Sequence, residues 1–334
     1  SHFHARAIAL RGLLAYGHAT ANQRVLEFVR RAYEFTLSQG IPRMGWINCY
    51  PGAMNHMEGC ALGDLVGLGI RLSDSGLGDY WDDVDAVVRN HLVEQQLTRA
   101  DLLEKVAAQY RDQADETLSE KMPGKLCFDD VIARSLGTFA GTSLPTGIPR
   151  PWVMQCCTGN ATQGLYYAWE GTLREAGDEA VVNLWLNRAG RLVDVESYLP
   201  YEGKVVIRNK TARRVAVRMP VWVDPRALRC ELGTVPCEPR RIGRYLNFEN
   251  LPAGAAITLS FPVAVQKATY TVNAQTPQEQ PYTCEFRGST LVHIAPRDEA
   301  PTSYPLYQRS RLQSSITPFR QVRRFVAARA VHGW

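Results

Sequence analysis

The sequence predicts an α+β protein in two parts, a partial (α/α) helical toroid over residues 1–175 and an antiparallel β-sandwich over residues 176–334. Three observations predict it. Apolar residues recur at helical spacing through the first hundred residues, and from about Ala180 the period changes to two. The helical part also repeats faintly: shifted by 52 positions, Ala9, Leu10, Leu13, Leu14 and Gly17 fall on Ala61, Leu62, Leu65, Val66 and Gly69. Phe28, Val29 and Ala32 likewise fall on Tyr80, Trp81 and Val84. A repeated helix hairpin of this kind stacks in a solenoid or closes into a toroid.

Ile8, Leu10, Leu13, Leu14 and Tyr16 fit a first helix; Val25, Phe28, Val29, Ala32 and Phe35 fit a second, with Gly40 placed as its C-cap. Met57, Ala61, Leu62, Leu65, Val66 and Leu68 suggest a third, and Tyr80, Trp81, Val84, Val87, Val88 and Leu92 a fourth. Asp82 and Asp83 near the start of the fourth read as a solvated terminus, where negative charge suits the helix dipole. The stretch "RADLLEKVAAQYRDQADETLSEK" is more polar and reads as a surface helix or a cover over a site. Further on, "KVVIRN", "RRVAVRMPVWV", "AITLSF" and "STLVHIAP" are β-branched or aromatic runs between turn residues, which implies several antiparallel strands. The C-terminal "FRQVRRFVAARAVHGW" suggests a return to helix.

With 334 residues, 45% apolar and 21% charged, the chain has ordinary globular composition and room for two cores. Its net charge of +5 is spread out, and only "RQVRRFVAAR" gathers several cations, too little for a nucleic-acid surface. No apolar run reaches the ~18 to 20 residues that span a bilayer. The opening "SHFHARAIAL" lacks the layout of a signal peptide. Neither nucleic acid nor membrane is an expected partner. Eight cysteines are too sparse for a disulfide scaffold, although Cys230 and Cys237 could pair around a loop; reduced thiols and a cytoplasmic setting are the expectation.

Chemistry concentrates in "NHMEGCALGD", with His56, Glu58 and Cys60, and in "MQCCTGN", with Cys156, Cys157 and Asn160. Residues two apart on a helix point about 200° away from each other, so Glu58 and Cys60 converge only if the helix begins at or after Glu58. Pro51, Gly52 and Asn55 suit a turn there. A kinked segment before the second helix would similarly aim both adjacent sulfurs at one point. Three thiols and a carboxylate so gathered would make a tetrahedral zinc site. The other reading is that Cys60 and Cys157 are buried packing residues, as free cysteines commonly are.

The E-x-C motif (Glu58, Cys60), the later C-C-x-x-N motif (Cys156, Cys157, Asn160) and the order of helices before strands resemble the β-L-arabinofuranosidase family, glycoside hydrolase family 127 and its relatives. The resemblance implies Zn²⁺ held by Glu58, Cys60, Cys156 and Cys157, with Cys156 as nucleophile. It implies retaining hydrolysis of a terminal β-L-arabinofuranosyl or related carbohydrate. "SHFHARA" is similar to the family helix that offers a histidine to the sugar, which points to His4 before His2. Trp46, in the loop leading to Glu58, is a candidate to stack on the sugar ring, followed by Trp152 and Tyr167. Asn160 reads as a helix cap, and Cys49 as a competitor for the metal.

Two departures stand out. The family's general acid/base, a glutamate 16 residues before the E-x-C glutamate, is here Pro42. Protonation of the leaving group is worth roughly 10²- to 10⁴-fold in rate, so another residue would have to supply it; His2, His4, His56, Asp129 and Asp130 are the candidates. The family's toroid also needs about six helix pairs, whereas this chain shows roughly two. The expectation is a fragment, a split-gene product or a chain completed by a partner carrying the N-terminal half of the toroid. A noncatalytic structural zinc or carbohydrate-binding protein is the alternative.

Overall fold

A computed structural model of the chain describes residues 2–52, 56–113 and 130–318, without the side chains of 111–113. Asp129, most of the polar stretch after Gln113 and the C-terminal "FRQVRRFVAARAVHGW" lie outside the described residues. Helices α1 (Phe3–Ala19) and α2 (Gln23–Leu37) form a hairpin. Asn22 caps α2, its side chain accepting from the Val25 amide at 3.2 Å. Helix α3 (Gly59–Asp74) is buried on every side from Gly59 to Ile70, as expected for a helix that is apolar almost all round. Helix α4 (Trp81–Val87) runs on into a π-helical turn, Val88–Leu92. Short helices α5 (Ala100–Ala107) and α6 (Val131–Ser135) follow, and α7 (Gln155–Gly171) packs on α3.

The repeat has a packing basis. Leu10 and Leu62, Leu14 and Val66, and Gly17 and Gly69 are buried in their respective hairpins. Other expectations on these helices change. Phe28 and Phe35 share the predicted face of α2 with Val29, yet they are 56% and 48% exposed. Gly40 is not a C-cap: α2 ends at Ser38, and Gly40 pairs with Ile47 in a two-residue strand. A Cβ there would lie 2.2 Å from the Trp46 carbonyl, so the close strand pairing requires glycine. Asp82 is not simply solvated, because it binds Arg218 and accepts from the Val221 amide at 3.0 Å.

From Leu173 the chain forms a five-stranded and a six-stranded sheet that share one apolar core. Val182, Val215, Val217 and Phe248 come from the first; Val193, Val195, Val205 and Ile257 come from the second. Pairing is antiparallel throughout these sheets except between Glu179–Val182 and Arg214–Val217, which run parallel. A further three-stranded antiparallel sheet, Val265–Val272 with Gln280–Arg287 and Thr290–Ala295, turns Cys284, Phe286, Leu291 and Ile294 into the helices' own core. Arg218, only 2% exposed, joins the sheets to α4 through Asp79 at 2.9 Å and through Asp82. Among the described residues, no helix is long and apolar enough to cross a membrane.

Candidate metal centre

Two helix N-termini are brought together by a close crossing of α3 and α7. At Gly164 a Cβ would meet the Gly63 Cα at 2.5 Å, and at Gly63 it would meet the Asn160 carbonyl at 2.0 Å. With no side chain at either position the helices touch backbone to backbone. Glu58 precedes α3 in extended conformation (φ −115°, ψ 129°), held by the pairing of Met57–Glu58 with Thr142–Ser143. The helix thus begins directly after Glu58, which lets Glu58 and Cys60 converge. Cys156 and Cys157 occupy the first turn of α7 itself, so the expected kinked segment is replaced by an ordinary helix start after extended Met154. The turn of about 100° per residue sends Cys157 inward, fully buried, and leaves Cys156 exposed at the rim.

The donors of Glu58, Cys60, Cys156 and Cys157 lie within 4.8 Å of one another and could hold a metal ion. Cys157 Sγ is 3.1 Å from Cys60 Sγ, 4.0 Å from Cys156 Sγ and 3.7 Å from Glu58 Oε1. A tetrahedron with metal–sulfur bonds of ~2.3 Å has edges of roughly 3.8 Å, so the last two distances already fit and Cys60 needs only a small outward shift. The hydrogen bond to Cys157, and then burial, push the Cys60 thiol well above its ordinary range, and burial raises Cys156. A divalent ion reverses this, since coordination requires thiolate, and both helix N-termini favour negative charge here. Asn160 is not the expected cap. It lies inside α7 and its side chain hydrogen-bonds Cys60, favouring the thiolate.

His2 Nε2 contacts Glu58 Oε2, and the His2 ring lies 5.7 Å from that of His4 and 5.2 Å from that of Tyr50. His4 Nδ1 is 3.0 Å from Asp64 Oδ2, and the other Asp64 oxygen accepts from Arg11 at 2.6 Å. Arg11 in turn donates to the Tyr167 hydroxyl at 2.9 Å. The hydrogen bond to Asp64 raises the His4 pKa above its ordinary value, against the opposing effect of burial. Sequence reasoning missed Asp64 and Arg11. A signal was present, because a lone carboxylate within "ALGDLVGLGI" must find a partner once that helix is buried.

Trp46 is corrected. Its side chain is completely buried in the apolar core, so the ring has no face for a sugar. Tyr167 is buried too, at 3% exposure. Trp152 is 50% exposed and its indole NH donates to Thr142 at 3.4 Å, which makes it the accessible aromatic of the three. Pro42 opens a 3-10 turn and carries no proton to give. His56 lends its carbonyl to the Cys49 amide at 2.8 Å, and Asp130 stands at the start of α6. Cys230 and Cys237 face each other across a hairpin as free thiols and are not bridged.

No protein-family model matches the chain, and no curated protein matches it in sequence. In fold, it is similar to a glycoside hydrolase. The particular structure is a family 127 β-L-arabinofuranosidase from Geobacillus stearothermophilus T6, with 12% identity and a TM-score of 0.55 over 87% of this chain and 46% of that one. A second family 127 β-arabinofuranosidase has 14% identity and a TM-score of 0.38, covering 85% of this chain and 55% of its own. A third structure, described as a glycoside hydrolase, has 11% identity and a TM-score of 0.37, covering 84% and 59%. Only the first is close enough for the fold to be shared, and this chain spans about half its length.

Proposed function

We propose that the protein is a retaining glycosidase of the zinc-thiolate type, acting on a terminal β-L-arabinofuranosyl or related sugar. Its helices would be part of an (α/α) toroid and its two large sheets a sandwich. The observation that carries the reading is the convergence of Glu58, Cys60, Cys156 and Cys157 on one point. Zn²⁺ held by these four would keep the thiols ionised at neutral pH. Cys156 is the exposed thiol and so the nucleophile: its sulfur bonds to the anomeric carbon as the leaving oxygen departs, and water later displaces it. Two inversions retain configuration. His4, fixed by Asp64, which raises its pKa, is placed to bind a sugar hydroxyl and to pass a proton to the leaving oxygen.

The test is metal content of the purified chain with hydrolysis of an aryl β-L-arabinofuranoside. At least one equivalent of zinc per chain and a loss of at least about 10³-fold in Cys156→Ala are expected. Absence of zinc would remove the reading. Zinc without hydrolysis would favour the noncatalytic alternative, which rests on Pro42 standing where an acid belongs.

We further propose that another antiparallel helix pair packs on the outer face of α1 and α2. Leu13, Phe28, Ala32 and Phe35 line an apolar groove of about 480 Å³ there. A contiguous exposed apolar groove of this kind marks a packing surface.

A further inference from the structure

The carboxylate of Glu58 has two occupied sides. Oε1 faces the cysteine cluster through Cys157 Sγ at 3.7 Å, whereas Oε2 turns away to meet His2 Nε2. On that second side lies Cys49, and the donor atoms of His2, Cys49 and Glu58 are within 4.8 Å of one another. We propose that His2, Cys49 and Glu58 form a second site for a divalent ion of the zinc class, with Glu58 bridging it to the cysteine cluster. The inference rests on the four-ligand reading only through Glu58.

The backbone fixes these donors independently of any ion. The amide of Phe3, next to His2, donates to the Cys49 carbonyl at 2.8 Å, and the Cys49 amide donates to the His56 carbonyl at 2.8 Å. The start of α1, the end of the hairpin and the approach to Glu58 are therefore tied in one place. Cys49 is 4% exposed. A buried cysteine that merely packs prefers apolar neighbours, but this thiol is set against a carboxylate and an imidazole. Imidazole, thiolate and carboxylate together suit zinc or cobalt and do not suit calcium or magnesium.

The two sites differ in kind. Three thiolates and a carboxylate make a closed tetrahedral set, whereas one histidine, one cysteine and one shared carboxylate leave the fourth position open. His2 is half-buried and Tyr50 beside it is 39% exposed, so solvent reaches the His2 side of this cluster. Charge also argues for the pair. Three thiolates and Glu58 on one Zn²⁺ leave a formal charge of −2; adding Cys49 thiolate and a second Zn²⁺ brings it to −1, a smaller charge to bury.

Cobalt(II) titration of the metal-stripped full chain tests this, reading bound equivalents and the thiolate-to-cobalt absorption. Wild type is expected to bind two equivalents. Cys49→Ser and His2→Ala are each expected to lose one, with the affinity of that equivalent falling at least tenfold and the strong three-thiolate absorption retained. His2→Ala guards against misfolding, since it alters a half-buried side chain at the start of the chain. If wild type binds a single equivalent and Cys49→Ser matches it, the second site is overturned while the four-cornered one stands. If no cobalt binds at all, both fall.

Discussion

Asp64 is a buried carboxylate whose two oxygens serve different partners, His4 and Arg11. Removing its charge takes a carboxylate away from Arg11, which is partly buried beside Tyr167. Asp64→Asn is therefore expected to destabilise the chain by about 2 kcal/mol, less than a fully buried pair because Arg11 keeps some solvent. The His4 pKa should fall in the same variant, since the hydrogen bond to Asp64 is what holds it up. Denaturant melts and a proton NMR titration of His4 check the two effects; an unchanged His4 pKa would sink the assignment. At this scale the sequence was legible where a residue's chemistry forced company, as with Glu58 and the three cysteines. It was not legible where burial decided: nothing in "RMGWINC" distinguishes a Trp46 locked in the core from one on a rim.

Helix α7 carries its own control experiment. Gly63→Ala would drive a methyl into the Asn160 carbonyl 2.0 Å away, whereas Gly159→Ala on α7 meets nothing within 4 Å. The first should cost about 1–3 kcal/mol by overpacking and loosen metal binding; the second should be neutral or gain up to about 1 kcal/mol from helix propensity. Equal effects in thermal melts would mean that the crossing does not set the site. A second element-scale prediction concerns the π-helical turn. His91 there is fully buried, 2.8 Å from the Ser143 hydroxyl and 3.0 Å from that of Tyr307, and burial lowers its pKa to about 3. Above pH ~6.5 the imidazole is neutral folded or unfolded. Between ~6.5 and ~3 only the unfolded chain takes the proton, so stability drops as pH falls, by an amount on the order of 5 kcal/mol. His91→Gln should flatten that dependence in urea melts from pH 7 to 4. Helix positions were legible from their period, including the start of α3 after Glu58. The period gave no hint that Arg214–Val217 would pair in parallel with Glu179–Val182, because alternation says which face of a strand is buried and not which strand lies beside it or in which direction.

Across the whole molecule, the change of period near Ala180 lies close to the start of the two large sheets at Leu173 but does not say which core each strand joins. Cys284, Phe286 and Ile294 alternate like any sheet strand, yet they pack with the helices. The same limit explains Phe28 and Phe35, since periodicity says which residues share a face and not whether anything covers it. Phe28→Asp is expected to change the chain's own stability by less than about 0.5 kcal/mol while lowering its binding of an apolar dye. A large loss of stability would show that the groove is already filled.

The crossing of α3 and α7 also has a consequence in time. Cys60 and Cys157 are separated by 97 positions in sequence, and α3 is enclosed only after α7 exists. At a synthesis rate of about 5 to 20 residues per second, the first two donors precede the second two by roughly 5 to 20 s. Throughout that interval α3, buried from Gly59 to Ile70 in the folded protein, waits without its cover.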